Sequence, residues 1–361
     1  MSNSIAIVGA GIVGRLLAWQ LLSRGYAVTL FERDAIDKGE GNGLAAAYTA
    51  AGMLAPLSEA DSAELPIVEM GLRSLKLWPE LAESLGEDVD FHCAGSLIVA
   101  HPNDRADLLD FRQRLTRTTN SLPEHVTNAV RALSKAELAQ KEPDLAQCFN
   151  EATYIEGEAW VSSQRMMTAL AKNLVKAGCQ FVENTAVKSL APQRVKTKEK
   201  EWTFDCVCDC RGLGAKADMP HLRGVRGETI IVRAPEVTLT HLVRIMHPRY
   251  RIYIVPRKNN VFVIGATQIE SASLAPITVR STLELLSAAY AVHPGFAEAN
   301  IIDMRVNCRP ALPDNLPSIE QQSGLIRING LFRHGFLLAP ALVEDAIVHI
   351  DKELLHDVAE A

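Results

Sequence analysis

Apolar and polar positions change period several times along the chain, and the changes mark the elements. Residues 4–8 (Ser-Ile-Ala-Ile-Val) form an apolar run of strand length. Ile12, Val13, Leu16, Leu17, Trp19 and Leu21 then recur on one face of a helix, and Ala27-Val-Thr-Leu-Phe31 is a second strand-like run ending in Glu32. Helical spacing continues over residues 67–86, 104–118, 134–141, 163–177 and 279–293, with a last helix from about Leu342. Strands are predicted over 95–100, 179–183, 186–190, 202–210, 226–233, 241–246, 250–256, 261–267 and 325–330. The β-branched runs between 226 and 267 predict a separate, largely antiparallel sheet. A glycine-rich loop, 38–43, precedes the small-residue stretch Ala45–Pro56, which reads either as backbone laid against a ligand or as a plain alanine helix.

The turn between the first strand and helix carries the first chemistry. It reads Gly9-x-Gly11-x-x-Gly14, and Ile12 and Val13 open the helix. Gly9 allows the tight turn, Gly11 lets a pyrophosphate reach the backbone, and Gly14 lets the helix lie close to the sheet. Phosphates then meet free N–H groups at a helix N-terminus. Glu32, about 20 residues on, is placed to accept ribose hydroxyls, and an acid there favours NAD or FAD over NADP. Arg33 follows it.

Length and charge narrow the class. A chain of 361 residues predicts two domains, or one with a large insertion. A net charge of -6 argues against nucleic acid as the main partner. The basic stretch 194–200 is interrupted by an acid and reads as a solvated turn. No signal-peptide pattern precedes the first strand, and no apolar run has membrane-spanning length. Seven irregularly placed cysteines predict reduced thiols and a cytoplasmic protein. Cys206, Cys208 and Cys210 share one face of a strand, which reads as core rather than as a metal site.

Four segments together resemble the amine-oxidising flavoproteins that include D-amino-acid oxidase, sarcosine oxidase and glycine oxidase. They are the N-terminal unit ending in Glu32; Ala50-Ala-Gly-Met-Leu-Ala-Pro56; Tyr253-Ile-Val-Pro-Arg-Lys258 with Val263-Ile-Gly-Ala-Thr267; and Cys308-Arg-Pro310 with Phe332-Arg-His-Gly-Phe-Leu-Leu-Ala-Pro340. The third closely resembles bacterial glycine oxidase of thiamine biosynthesis. The resemblance spans most of the chain and implies non-covalent FAD rather than NAD. It implies an α/β, two-domain fold: a Rossmann-like FAD-binding domain (1–85, 150–220 and 305–361) and a substrate domain with a large antiparallel sheet (86–149 and 221–304).

The same resemblance assigns roles. Arg309 fixes the substrate carboxylate, Tyr253 donates a second hydrogen bond, and Arg333 narrows the pocket or touches the carboxylate. Tyr48, Thr49, Ala51, Gly52 and Met53 lie beside the flavin, Val187 contacts adenine through its backbone, and Gly212 closes over the cofactor. Leu331, Phe332, His334, Gly335, Phe336 and Leu337 surround the ring, with backbone N–H groups near a helix start. A neutral amine can release hydride directly to the flavin, so no general base is required.

The sequence also departs from the pattern. Leu331 stands where glycine oxidases often carry histidine, and Gln268 where methionine is familiar. Arg251, two residues before Tyr253, adds charge near the pocket, so a substrate larger or more acidic than glycine is open. Cys308 lies near the place where sarcosine-oxidase relatives attach flavin through cysteine. The expected reaction is oxidative deamination of glycine, sarcosine or small D-amino acids with molecular oxygen as acceptor, in a homo-oligomer whose interface no segment marks. A D-amino-acid dehydrogenase with another acceptor and a flavin-binding maturation subunit are the competing readings.

Overall fold

Two large sheets organise the chain in a computed structural model, which describes residues 3–36, 43–61, 63–247 and 251–359, with the backbone alone at Arg251 and over 355–359. Most of the glycine-rich loop 38–43 lies outside the described residues, as does the side chain of Arg251.

The first sheet has six strands in the order Ser318–Gln322, Leu325–Asn329, Cys206–Asp209, Ser4–Val8, Ala27–Phe31 and Gln180–Val182. All neighbours are parallel except the edge strand Ser318–Gln322. Alternation along Ser4–Val8 separates two cores, because successive side chains in a strand point to opposite faces. Ile5 and Ile7 face a helical layer with Leu16, Leu17, Leu170, Leu174, Leu342 and Ile347. Ala6 and Val8 face Val195, Phe204 and Val207 beneath a small three-stranded sheet. Cys206, Cys208 and Cys210 all lie in the helical-layer core.

Three local readings are corrected. The run 202–210 is two strands, Glu201–Thr203 and Cys206–Asp209, in different sheets. The chain is redirected between them, where Asp205 accepts the Ser4 amide (2.6 Å) and hydroxyl (2.8 Å). The strand read at 186–190 forms at Ser189–Ala191, leaving Val187 on a cavity wall. The last helix starts at Gly335 rather than near Leu342 and carries Pro340 inside it. Proline disfavours a helix interior, but Phe336, Leu337, Leu338, Ala339, Ala341 and Leu342 are all buried, so packing overrides the local signal. Ala45–Pro56 is not an alanine helix: one short turn, Ala46–Tyr48, leads into extended chain and the two-residue strand Met53–Leu54.

The second sheet has eight strands in the order Asn300–Ala311, Arg223–Arg233, Val261–Gly265, Arg251–Arg257, Leu242–Met246, Ser96–Ala100, Glu151–Ile155 and Val130–Ser134. It is antiparallel except where Leu242–Met246 meets Ser96–Ala100. One face packs on helix Val279–Val292 through Ile230, Ile252, Ile264, Leu285 and Ala289. The other presents Ile231, Val255 and Val263 to Ala51, Ala55 and Trp160. Two expected domain boundaries, 149/150 and 304/305, do not separate the sheets. Glu151–Ile155 belongs to the eight-stranded sheet, and Asn300–Ala311 pairs with Arg223–Arg233 along its whole length. Among the described residues no helix is long and apolar enough to cross a membrane.

Candidate active site

A cavity of about 1120 Å³ runs between the two sheets. Small-ligand sites usually span about 300–1,000 Å³, so this one has room for a long cofactor and a substrate. Val8, Phe31, Ile328 and Asn329 line it from the six-stranded sheet; Thr229, Ile252, Tyr253 and Arg309 line it from the other.

One end is built by the glycine turn. Gly9 holds a φ of +102°, and a Cβ there would stand 2.5 Å from the Cys210 carbonyl oxygen. A Cβ on Gly14 would collide with the Gly9 carbonyl, so Gly14 serves packing and does not line the cavity. A Cβ on Gly11 would meet nothing within 4 Å. That open side, with the uncapped first turn of helix Ile12–Ser23 behind it, is where phosphate can reach backbone N–H groups. Ile12, Val13, Glu32, Arg33, Val187 and Gly212 (φ +54°) line the same end. Glu32 accepts the Ala10 amide at 2.6 Å and the Asp34 amide at 3.2 Å. A carboxylate has about four acceptor positions, which leaves capacity for ribose hydroxyls. These residues fit the nucleotide half of an FAD.

Thr49, Ala51, Gly52 and Met53 form one wall of the middle of the cavity. Tyr48 does not line it. Its hydroxyl accepts a hydrogen bond from Arg15 at 3.1 Å, behind the wall that its neighbours Ala47 and Thr49 form. Leu331, Phe332, Arg333, His334, Gly335, Phe336 and Leu337 form the facing wall, and Gly335 opens the last helix. Phe332 holds a φ of +49°, the left-handed region that L residues enter at a cost of about 1–2 kcal/mol. That conformation turns the chain so that Arg333 and His334 face the cavity.

The inner end gathers the expected substrate residues. Arg309 lies opposite Val225 in the sheet register, and its guanidinium donates to the carbonyls of Thr267 (3.1 Å) and Arg226 (3.3 Å). It forms no ion pair among the described residues. Gly227 makes room for it, since a Cβ there would collide with the guanidinium. Tyr253 and Gln268 share this end. Burial, partly opposed by Arg309, raises the Tyr253 phenol, which keeps it a donor. Burial and the nearby Arg333 lower Arg309, with Tyr253 and Glu59 opposing them. An arginine stays charged through such shifts.

Arg333 differs from Arg309 because it already has a carboxylate. It pairs with Glu59, whose second oxygen lies 3.1 Å from His334 Nδ1. Burial alone would raise Glu59, yet Arg333, His334 and Arg244 hold it well below the usual carboxylate range. Glu59 holds Arg333 above its ordinary value against burial.

Sequence patterning assigns no role to Glu59 or Arg15, and Arg257 enters it only as one residue of the Tyr253–Lys258 segment. Glu59 sits in a segment without periodicity. Arg15, on the buried helix face, is 1% exposed and donates to the carbonyls of Ala10, Met167 and Ile36, each at 2.7 Å. It ties the glycine turn to its surroundings. Arg257 donates to the carbonyls of Ala51 (2.5 Å) and Val161 (3.2 Å), and burial brings it down to about 10. It anchors the Ala51–Met53 wall.

The described Cys308 is buried, and its Sγ lies 3.5 Å from the Ser273 carbonyl oxygen and 3.7 Å from that of Ser271.

Comparison with known proteins agrees with this geometry. The chain is 39% identical over 338 residues to a Rhizobium etli protein named as a candidate thiamine biosynthesis oxidoreductase, ThiO, with 94% of this chain and 93% of that one covered. It is 29% identical to a glycine oxidase of Geobacillus kaustophilus, with 98% and 95% covered. A crystal structure of glycine oxidase from Geobacillus kaustophilus superposes with a TM-score of 0.81 at 28% identity, covering 95% of this chain and 93% of that chain. The model of the family described as FAD dependent oxidoreductase, DAO, matches residues 4–345. The chain therefore belongs to the DAO family of FAD-dependent oxidoreductases.

Proposed function

We propose that this protein oxidises glycine, sarcosine or a small D-amino acid, with molecular oxygen as the final acceptor. The products are the imine or 2-oxo acid, ammonia or amine, and hydrogen peroxide. FAD, when bound, supplies the hydride acceptor. The observation that carries the reading is Arg309: a buried cation without a carboxylate partner, laid over the side-chain-free Gly227 beside the Tyr253 hydroxyl. A planar guanidinium matches a carboxylate bidentately, and Tyr253 adds a further donor. Together they orient the substrate Cα, which is worth more than binding alone because orientation lowers the barrier. Glu59 is engaged by Arg333 and His334 and serves as no base, in keeping with loss of hydride from a neutral amine. Met53 and the Ala51–Gly52 backbone bound the substrate from the far wall.

The two related sequences support the substrate class, and the ThiO relative supports delivery of a glycine imine to thiamine thiazole synthesis. The reading includes a cytoplasmic enzyme with no nucleic-acid or membrane partner. The two sheets belong to a cofactor domain and a substrate domain built from discontinuous segments. Exposed Ile301, Ile302 and Met304 on the edge strand Asn300–Ala311 support a homo-oligomer, because bare apolar edge strands are otherwise avoided.

The test is Arg309→Met in the FAD-loaded enzyme. A lost charge-assisted contact of about 1.5–3 kcal/mol corresponds to a KM increase of about 10- to 100-fold. FAD content should not change. An unchanged KM would remove Arg309 from the site.

A further inference from the structure

The Glu59–Arg333 pair has no counterpart in the carboxylate clamp just described, yet it lies in the same cavity. Among the described residues, Arg309, Arg333 and Glu59 are the charged groups that act on Tyr253 at its inner end, and together they leave one net positive charge. An amino acid with a neutral amine carries one negative charge, so the sum is zero. A substrate with a second carboxylate leaves an unmatched buried charge, which is costly.

Glu59 is held in place and is not a chance rotamer. The buried carboxylate of Glu158 accepts the amides of Leu57 and Ser58, both at 2.8 Å, and the Ser58 hydroxyl. The buried Arg244 donates to the Ser58 carbonyl and, at 3.0 Å, to Asp61 Oδ1. The residues on both sides of Glu59 are thus tied to the eight-stranded sheet and to the chain leading out of it.

We infer that Glu59 determines specificity: by neutralising Arg333 it leaves Arg309 as the one of these two guanidinium groups without an ion pair among the described residues, and restricts the site to substrates with a single carboxylate. This deepens the amine-oxidase reading and rests on it. Replacing Glu59 with glutamine keeps the shape and frees the Arg333 guanidinium, so the site becomes suited to a dianion.

The experiment measures binding of two unreactive probes, acetate and malonate, to the FAD-loaded enzyme through the flavin absorption change. It needs no turnover. Glu59→Gln should improve malonate relative to acetate by about tenfold or more, the scale of one charge-assisted contact. Glu59→Asp should keep the parent preference, and the double change E59Q/R333Q should restore it. D-aspartate against its neutral isostere D-asparagine should show the same shift in kcat/KM. An unchanged malonate-to-acetate ratio in Glu59→Gln would overturn the inference. So would the full gain persisting in the double variant. Arg333 also faces a smaller hollow of about 250 Å³ lined by Glu64 and Asp314; a freed guanidinium that turned there would give the unchanged ratio. Should Glu59→Gln not retain FAD, Arg333→Gln gives the mirror test. Loss of the Arg333 charge beside Glu59 should disfavour malonate further against acetate, and an unaltered ratio overturns the inference. A parent enzyme whose flavin no amino acid reduces would instead refute the amine-oxidase reading.

Discussion

Arg309, Gly227 and Glu59 show how single residues set the chemistry of this cavity. Arg309 stands out in the sequence by its Arg-Pro context and the resemblance around it, but that it forms no ion pair among the described residues was not legible. That depends on Gly227, which lies two residues from Val225, the register partner of Arg309. A Cβ at 227 meets the guanidinium, so Gly227→Ala should displace Arg309. We expect a KM rise for glycine of about 10-fold with folding intact, since a well-placed charged contact is worth that much; steady-state kinetics with FAD content measured alongside checks it. Glu59 was not legible, because its partner Arg333 is 274 residues away. Its pairing also predicts a pH effect. A carboxylate held below its unfolded value of about 4.3 stabilises the fold above that pH, and the contribution declines from there until pH has fallen through the lower folded value. The stability gap between the parent and Glu59→Gln should therefore be widest near neutrality and shrink from about pH 5 downward in urea midpoints. A gap independent of pH would contradict the pairing.

Elements were read well where periodicity was strong and poorly where tertiary contacts chose the boundary. The strand–turn–helix–strand at the N-terminus formed as expected because glycine chemistry, helical spacing and strand length agree there. Alternation continues through 202–210 and predicts one strand; Asp205, bonded to Ser4, splits it between sheets. The start of the last helix was hidden by Pro340, whose local cost is overridden by burial around it. The segment Leu57–Asp61 is another element whose shape no pattern announces. Its order comes from Glu158 and Arg244. Burial pushes Glu158 up even as Ser58, Ser96 and Leu57 favour its charge, so it is an expensive group kept for what it holds. Glu158→Ala should cost about 1–3 kcal/mol, the scale of leaving buried hydrogen-bond donors unsatisfied. Hydrogen exchange should quicken first at the amides of Leu57 and Ser58. Uniform quickening across the six-stranded sheet instead would mean that Glu158 holds the whole fold rather than this segment.

For the whole molecule, the cofactor cavity is the seam between the two sheets. The two-sheet plan was legible from the split between an α/β start and the β-branched run 226–267. The seam's position was not, because Asn300–Ala311 continues past the expected boundary and carries Arg309 from the eight-stranded sheet to the cavity. Filling the seam should stabilise both sides. At FAD about 100-fold above its dissociation constant, binding adds about 2.7 kcal/mol to unfolding. Stripping the FAD should lower Tm by several degrees, and reconstitution should restore it, as followed by thermal unfolding. Arg15→Met should weaken both states. It removes three buried hydrogen bonds from a charged donor, and it loosens the glycine turn. A variant with parent-like Tm and FAD content would show that Arg15 is dispensable.

The proposed amine-oxidase activity toward small amino acids rests on Arg309, a guanidinium without an ion pair among the described residues in the cavity that fits FAD. Anaerobic titration of the FAD-loaded protein with glycine, sarcosine and D-alanine tests it most directly. The account predicts that at least one of them bleaches the visible flavin absorption, that air restores the colour with formation of hydrogen peroxide, and that Arg309→Met needs far more substrate for the same bleaching. Fully loaded flavin that none of the three reduces would contradict it.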